Sequence, residues 1–209
     1  MKRRVGRIST TMRESRARSS QVPDQYFGYS LQAIRFLHLL LQAPPGTMVS
    51  LEVFEDVGTL APNGRILASQ VKTGLVKNPL TDRSVELWKT LANWVSAVEA
   101  GALEPSSAIF EIYVGKHRYG TLALAFHNAQ SEAQATAAIG AAGAALFGKG
   151  KTRRKLPADL SVHVSRVLDS DRGRLAQIVK NMRIAAGRVF LEVPMVASDQ
   201  KHLRTPVLR

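Results

Sequence analysis

Residues 48–73 read MVSLEVFEDVGTLAPNGRILASQVKT. Val49, Leu51 and Val53 alternate with Ser50, Glu52 and Phe54, the period of a strand whose side chains point to opposite faces. The run is long enough to bend near Glu55-Asp56 into two short strands. Pro62-Asn63-Gly64 is a strong turn signal, and Ile66 to Lys72 reads as the returning strand. On it Gln70 and Lys72 share one face and Val71 takes the other. A carboxylate and a lysine at the ends of neighbouring strands can hold a divalent metal beside a phosphate. The same spacing fits equally well the polar face of an ordinary hairpin.

On the N-terminal side, Gln25 to Ala43 has the helical spacing of Tyr29, Ile34, Leu37, Leu40 and Leu41, and Pro44-Pro45-Gly46 ends it. Gln32 lies near its start. His38, without histidine neighbours, reads as a satisfied side chain at the core edge. Residues 1–22 are rich in Arg, Ser and Thr with little apolar periodicity, and read as a basic, flexible arm. The rest, residues 23–209, reads as one domain, with a core over about 25–120 and a helical extension over about 121–190.

On the C-terminal side, Gly74 to Leu80 is a loop, and Thr81 or Asp82 is placed to cap a helix running to about Ala100, before Gly101. Its tryptophans, Trp88 and Trp94, fall on a broad apolar face and read as core. Ala108 to Val114 (AIFEIYV) is a clear strand, followed by a basic, glycine-bounded loop, Gly115 to Gly120. Thr121 to Phe126 fits strand or helix. The alanine-rich Ser131 to Phe147 favours helix. Lys149 to Lys155 (KGKTRRK) is a basic loop, suited to solvent or to phosphates. Pro157 to Leu168 and Asp171 to Ala186 read as amphipathic helices, and Val189 to Val193 as a last strand.

The chain has 209 residues, enough for a proper core, and a net charge of +13. Residues 1–20 carry +6 of that charge, so the body remains basic at +7. Such an excess suits a polyanion such as nucleic acid. With no cysteine, a disulfide, a zinc–thiolate site and a thiol nucleophile are all excluded. No apolar run approaches the roughly 20 residues that span a bilayer, and no apolar signal-peptide core follows the basic N-terminus. A cytoplasmic protein without a membrane partner is expected. The motifs G-x-x-x-x-G-K-[ST], G-x-G-x-x-G after a strand and H-E-x-x-H are all missing.

Phosphodiester hydrolysis needs an activated water and stabilised charge on the phosphate and leaving oxygen, which magnesium or manganese can supply. These hard ions take oxygen ligands. Asp56 offers a charged oxygen, Gln70 a neutral one, and Val71 its main-chain carbonyl. Lys72 would then orient the water or stabilise the phosphate.

The segments GYSLQAIRFLHLLL, E-x-x-E-D-V, Q-V-K and NPLTDRSVELWKTLANW stand in that order. Together they resemble the nuclease domain of the CD-NTase-associated endonucleases of bacterial anti-phage defence, within the PD-(D/E)XK superfamily. The resemblance covers roughly residues 25–185. It implies an α/β, restriction-endonuclease-like mixed sheet flanked by helices, with a mostly helical C-terminal part. It implies also a Mg2+- or Mn2+-dependent endonuclease of double-stranded DNA. By position, Asp56 matches the acidic metal ligand, Gln70 replaces the usual glutamate and Lys72 matches the lysine. Gln32 sits where many members carry glutamate, and Glu55 is the alternative ligand if the strand bend shifts by one residue. Gln70 for glutamate removes a negative charge, which weakens metal binding. Members usually carry a sensing domain too, so a regulatory or sensor protein partner is expected here, and a homo-oligomer is left open.

Overall fold

The computed structural model describes residues 9–75, 77–115, 118–148 and 154–186, with side chains from residue 26 on. Three strands, β1 (Met48–Leu51), β2 (Val57–Leu60) and β3 (Ile66–Lys72), form an antiparallel meander. Strand β4 (Ala108–Val114) then joins β3 in parallel, and β5 (Met182–Ala186) joins β4 in parallel. The result is a five-stranded mixed sheet in the order β1-β2-β3-β4-β5. Parallel neighbours need long crossovers. The first uses α2 (Val85–Glu99); the second uses α3 (Thr121–His127), α4 (Glu132–Phe147), α5 (Ala158–Leu168) and α6 (Arg172–Lys180). Helix α1 (Ser9–Gln42) precedes the sheet.

The sheet separates two layers. On one face, Ala68, Phe110, Ile112, Val114, Met182 and Ile184 pack with α2 to α6 in the main core. Trp88 and Trp94 are fully buried there, Trp94 with its ring centre 5.2 Å from that of Phe110, so both tryptophans are core residues. On the other face, Val57, Val71 and Tyr113 pack under Leu31 of α1. Covered on both sides, β3 and β4 are buried along most of their length, which suits the apolar run of β4, broken only by Glu111, and the apolar start of β3.

A second link binds α1 to the sheet. Glu111 on β4, 1% exposed, accepts from Arg35 of α1 at 2.6 Å, Ser69 of β3 at 2.7 Å and Arg183 of β5 at 2.8 Å. The Arg35 guanidinium also stacks over the Tyr113 ring, 4.7 Å from its centre, and donates to His38 Nδ1 at 2.9 Å. His38 is thus satisfied at the edge, as its isolation in the sequence suggests.

The structure departs from the sequence reading at several places. The chain is already helical at Ser9, where an irregular arm was expected through residue 22; Arg, Glu, Met and Gln between them are all adequate helix formers. Residues 1–8 lie outside the described residues. The expected helix Asp171 to Ala186 splits into α6 and β5, because from Met182 the burial switches to every second residue. Residues 121–180 supply the helical crossover from β4, and β5 returns the chain to the same sheet. Thr121–His127 settles as helix.

Helix α2 starts at Val85 after Ser84, which makes no side-chain cap. Of the two expected caps, Thr81 and Asp82, neither stands next to the helix, and Asp82 instead accepts the Leu122 N–H at 2.8 Å in the first turn of α3. A Cβ at Gly120 would stand 2.5 Å from that carboxylate, so only glycine fits. Val189 to Val193 and Lys149 to Arg153 lie outside the described residues, as do Lys116 and His117. Among the described residues, no helix is long and apolar enough to cross a membrane.

Candidate active site at the open end of the parallel strands

Strands β3, β4 and β5 finish in register, with Lys72 opposite Val114 and Val114 opposite Ala186. Antiparallel β2 starts at this same end. Its last pair is Val57 with Ser69, which leaves Asp56 one residue beyond the ladder. There the Asp56 side chain takes over from the backbone: Oδ2 accepts the Val71 N–H at 2.8 Å and the Gln70 side-chain amide. Gln70 and Lys72 project to the α2 side of the sheet and Val71 to the α1 side, as the strand period requires.

The loop 52–56 that carries the acidic residues is held tightly. Glu52 takes a positive φ of 56°, which the non-glycine residues otherwise avoid among those described, and its N–H donates to the Asp56 carbonyl at 3.2 Å. Phe54 folds back against Gly58, where a Cβ would lie 2.9 Å from the Phe54 ring. Phe54 also packs on the main core. The loop is therefore anchored at its centre, with Glu55 and Asp56 directly after the anchor.

Lys72 Nζ donates to Glu86 Oε2 at 2.8 Å. Glu86 sits in the first turn of α2, where the free backbone amides favour negative charge. Burial pushes the Glu86 carboxyl up, but the hydrogen bond and charge of Lys72, with Lys89 and His163, outweigh it and leave its pKa lowered. Glu55 goes the other way, pushed up to about 7 by burial first and by the adjoining Asp56, with Glu52 adding to the rise. Lys72 and the Trp94 indole N–H counteract this only in part. That indole nitrogen is buried without a partner of normal hydrogen-bond geometry.

Asp56, Gln70, Val71, Glu55 and Lys72 thus converge. Gln32 does not join them: it is half-buried on α1, beside Leu31 on the opposite face of the sheet, and no hydrogen bond ties it to Asp56, Gln70 or Lys72. Glu86 belongs to the cluster but has no mark in the strand pattern. Its only sequence signal is an acidic residue in the first turn after Asp82-Arg83-Ser84.

The donors present are hard oxygens, the type that Mg2+ and Mn2+ take. Among the described residues, no three His, Asp or Glu side chains are placed together to hold a metal ion. A site here would need the Gln70 amide and the Val71 carbonyl beside Asp56. The raised Glu55 pKa comes first from burial and only then from the neighbouring Asp56 and Glu52; a divalent cation beside it would favour its charged form.

Two basic loops stand at the same end of the sheet. The Lys72 carbonyl accepts the Gly115 N–H at 3.2 Å, and Asn78 Nδ2 donates to the Arg118 carbonyl at 2.6 Å, tying the loop that carries Lys77 to that of Arg118. Arg83, three residues before Glu86, donates to the Lys155 carbonyl at 2.7 Å. The end of the KGKTRRK segment is thereby fixed to the start of α2.

Comparison with known proteins adds no relative: no family model, curated protein or solved structure matches the chain.

Proposed function

We propose that the protein is a metal-dependent endonuclease of double-stranded DNA, of PD-(D/E)XK type, serving bacterial anti-phage defence under the control of a sensor partner. The observation that carries this reading is the convergence of Asp56, Gln70 and Val71 at one strand end, with Lys72 on the face of Gln70. The fold class, the net charge of +13 and the basic loops around Lys72 support it.

Asp56, Gln70 and the Val71 carbonyl would hold Mg2+ or Mn2+, with Glu55 beside them. Such an ion, when bound, supplies a more nucleophilic water and neutralises phosphate charge. Lys72 presents its ammonium to the phosphate oxygens, and Glu86 fixes the direction of that ammonium. Gln70, 8% exposed, holds the Asp56 carboxylate in place from within the sheet. Hydrolysis joins the water oxygen to phosphorus and breaks one P–O ester bond, and the leaving oxygen takes up a proton. The Lys77 and Arg118 loops and the Arg154–Lys155 segment would bear on flanking phosphates.

Incubation of plasmid DNA with the protein and Mg2+ or Mn2+ tests this. Cutting should fall by about 100-fold or more in Lys72→Ala and Asp56→Ala, and stop with EDTA. Equal cutting by all three proteins refutes the assignment. Salt-sensitive DNA binding that ignores EDTA, without cutting under either metal, would instead make the chain a non-catalytic DNA-binding module.

A further inference from the structure

We infer that the outward face of α1 is a homodimer interface, against which a second copy of this chain packs its own α1 about a two-fold axis. The inference rests on α1 alone and not on the nuclease reading. Over residues 26–41, helix α1 is apolar on two opposite sides. Leu31, with Phe36 and Leu39, packs towards the sheet. Tyr26, Tyr29, Ile34, Leu37, Leu40 and Leu41 are exposed on the side away from it. A helical stretch that is apolar all round is normally covered all round.

The spacing of the outward residues is that of a packing seam. Tyr26, Ser30, Ala33, Leu37 and Leu40 follow at intervals of four, three, four and three, the repeat by which two helices lie along one another. Ile34 and Leu41 flank the seam. Its middle is small, at Ser30 and Ala33, so two backbones can approach there. An antiparallel crossing centred on Ala33 sets Tyr26 of one copy beside Leu40 and Leu41 of the other, the reciprocal pattern of a two-fold interface.

Area and charge both favour a second copy as the occupant. The exposures of the six large residues run from 41% for Ile34 to 76% for Tyr26. At about 200 Å2 per large side chain they leave roughly 700 Å2 of mainly apolar surface in water. Stable interfaces take about 800 Å2 from each partner, so this face, with Ser30 and Ala33 added, is near the required size. From Tyr26 to Leu51 the sole charged side chain is Arg35, buried against Glu111. In a chain of net charge +13 this face offers no cation to a phosphate and no counter-charge to a polar protein partner. Another uncharged apolar helix matches it, and every copy of the chain carries one.

The charge also sets the salt response. Two copies of a basic protein repel, and salt screens that repulsion, so the dimer should tighten with salt. Phosphate contacts weaken with salt, so self-association and DNA binding are separable in one titration.

Sedimentation velocity of the full chain without DNA, over a wide concentration range at low and high salt, tests the inference. A monomer–dimer equilibrium that tightens with salt is expected. Leu37→Lys and Leu41→Lys should each weaken the dimer by about tenfold or more, with unchanged far-UV circular dichroism, since both side chains are exposed. A monomer at every concentration, or a dimer that both variants leave intact, overturns it. Dimerisation that appears only after deletion of residues 187–209 also overturns it, by making that segment the natural cover of α1.

Discussion

The sheet carries a cluster of charged side chains on each of its faces, and the two differ in how far the charges are matched. On the α1 side, Glu111 is 1% exposed and its two oxygens meet Arg35 and Arg183, with Ser69 as a third donor. Every carboxylate oxygen has a cation, and the arrangement joins α1, β3, β4 and β5. On the α2 side, Glu55 lies in the field of Asp56 and Glu52 with Lys72 as its cation, and that ammonium is already held by Glu86, on which Lys89 also acts. Negative charge is left over there, within a strongly basic chain. A saturated cluster of this kind locks elements together, whereas one short of cations is suited to receive something.

The largest effect should come from the saturated cluster. Glu111→Gln leaves two arginines without their carboxylate, and unfolding in urea should show a loss of about 3–5 kcal/mol. A loss below 1 kcal/mol would erase the distinction between the clusters.

Glu55→Gln sharpens it from the other side. The folded pKa of about 7 lies above the ordinary glutamate value of 4.5, so the folded state holds a proton that the unfolded state releases between these values. Stability from this group is complete below pH 4.5 and declines until pH 7 is passed. The variant should therefore match wild type near pH 4 and exceed it by on the order of 2 kcal/mol at pH 8, read as a melting-temperature difference. No difference at pH 8 would mean that Glu55 is not held in an unfavourable field.

A divalent cation should act on one cluster only. Mg2+ or Mn2+ at ten times its dissociation constant should stabilise the wild type by about 1.4 kcal/mol, and Asp56→Ala should lose that gain. The smallest effect is predicted for Lys72→Ala without metal. Its partner Glu86 is half exposed, so stability should change by no more than about 1 kcal/mol, while cutting of DNA should collapse.

How much was legible follows from the range of the interactions. Ile66–Lys72 and Ala108–Val114 were readable to the residue because apolar content, turn residues and flanking glycines are all local. Gln70 and Lys72 came from the strand period in the same way, and Asp56 from its nearness to the bend. Strand β5 was not legible, since Met182–Ala186 is a strand only because the edge of β4 lies beside it. Glu86 and the Glu111 cluster were hidden for a related reason: Lys72 and Glu86 are 14 residues apart, and Arg35 and Glu111 76. Asp82 looked like a cap for the helix that follows it, and serves one 40 residues on.

The bent acidic run, the turn and the Gln70-Val71-Lys72 strand end were determined by the sequence alone, because alternation and turn chemistry act between near neighbours. Where Asp56 points was decided only by the tertiary structure. Strand β2 stops one residue short of it, so the Val71 N–H, beyond the end of that ladder, takes its carboxylate in place of a backbone carbonyl. The surplus of negative charge around Lys72 arises likewise, because packing α2 against β3 brings Glu86 to a lysine already beside Glu55 and Asp56.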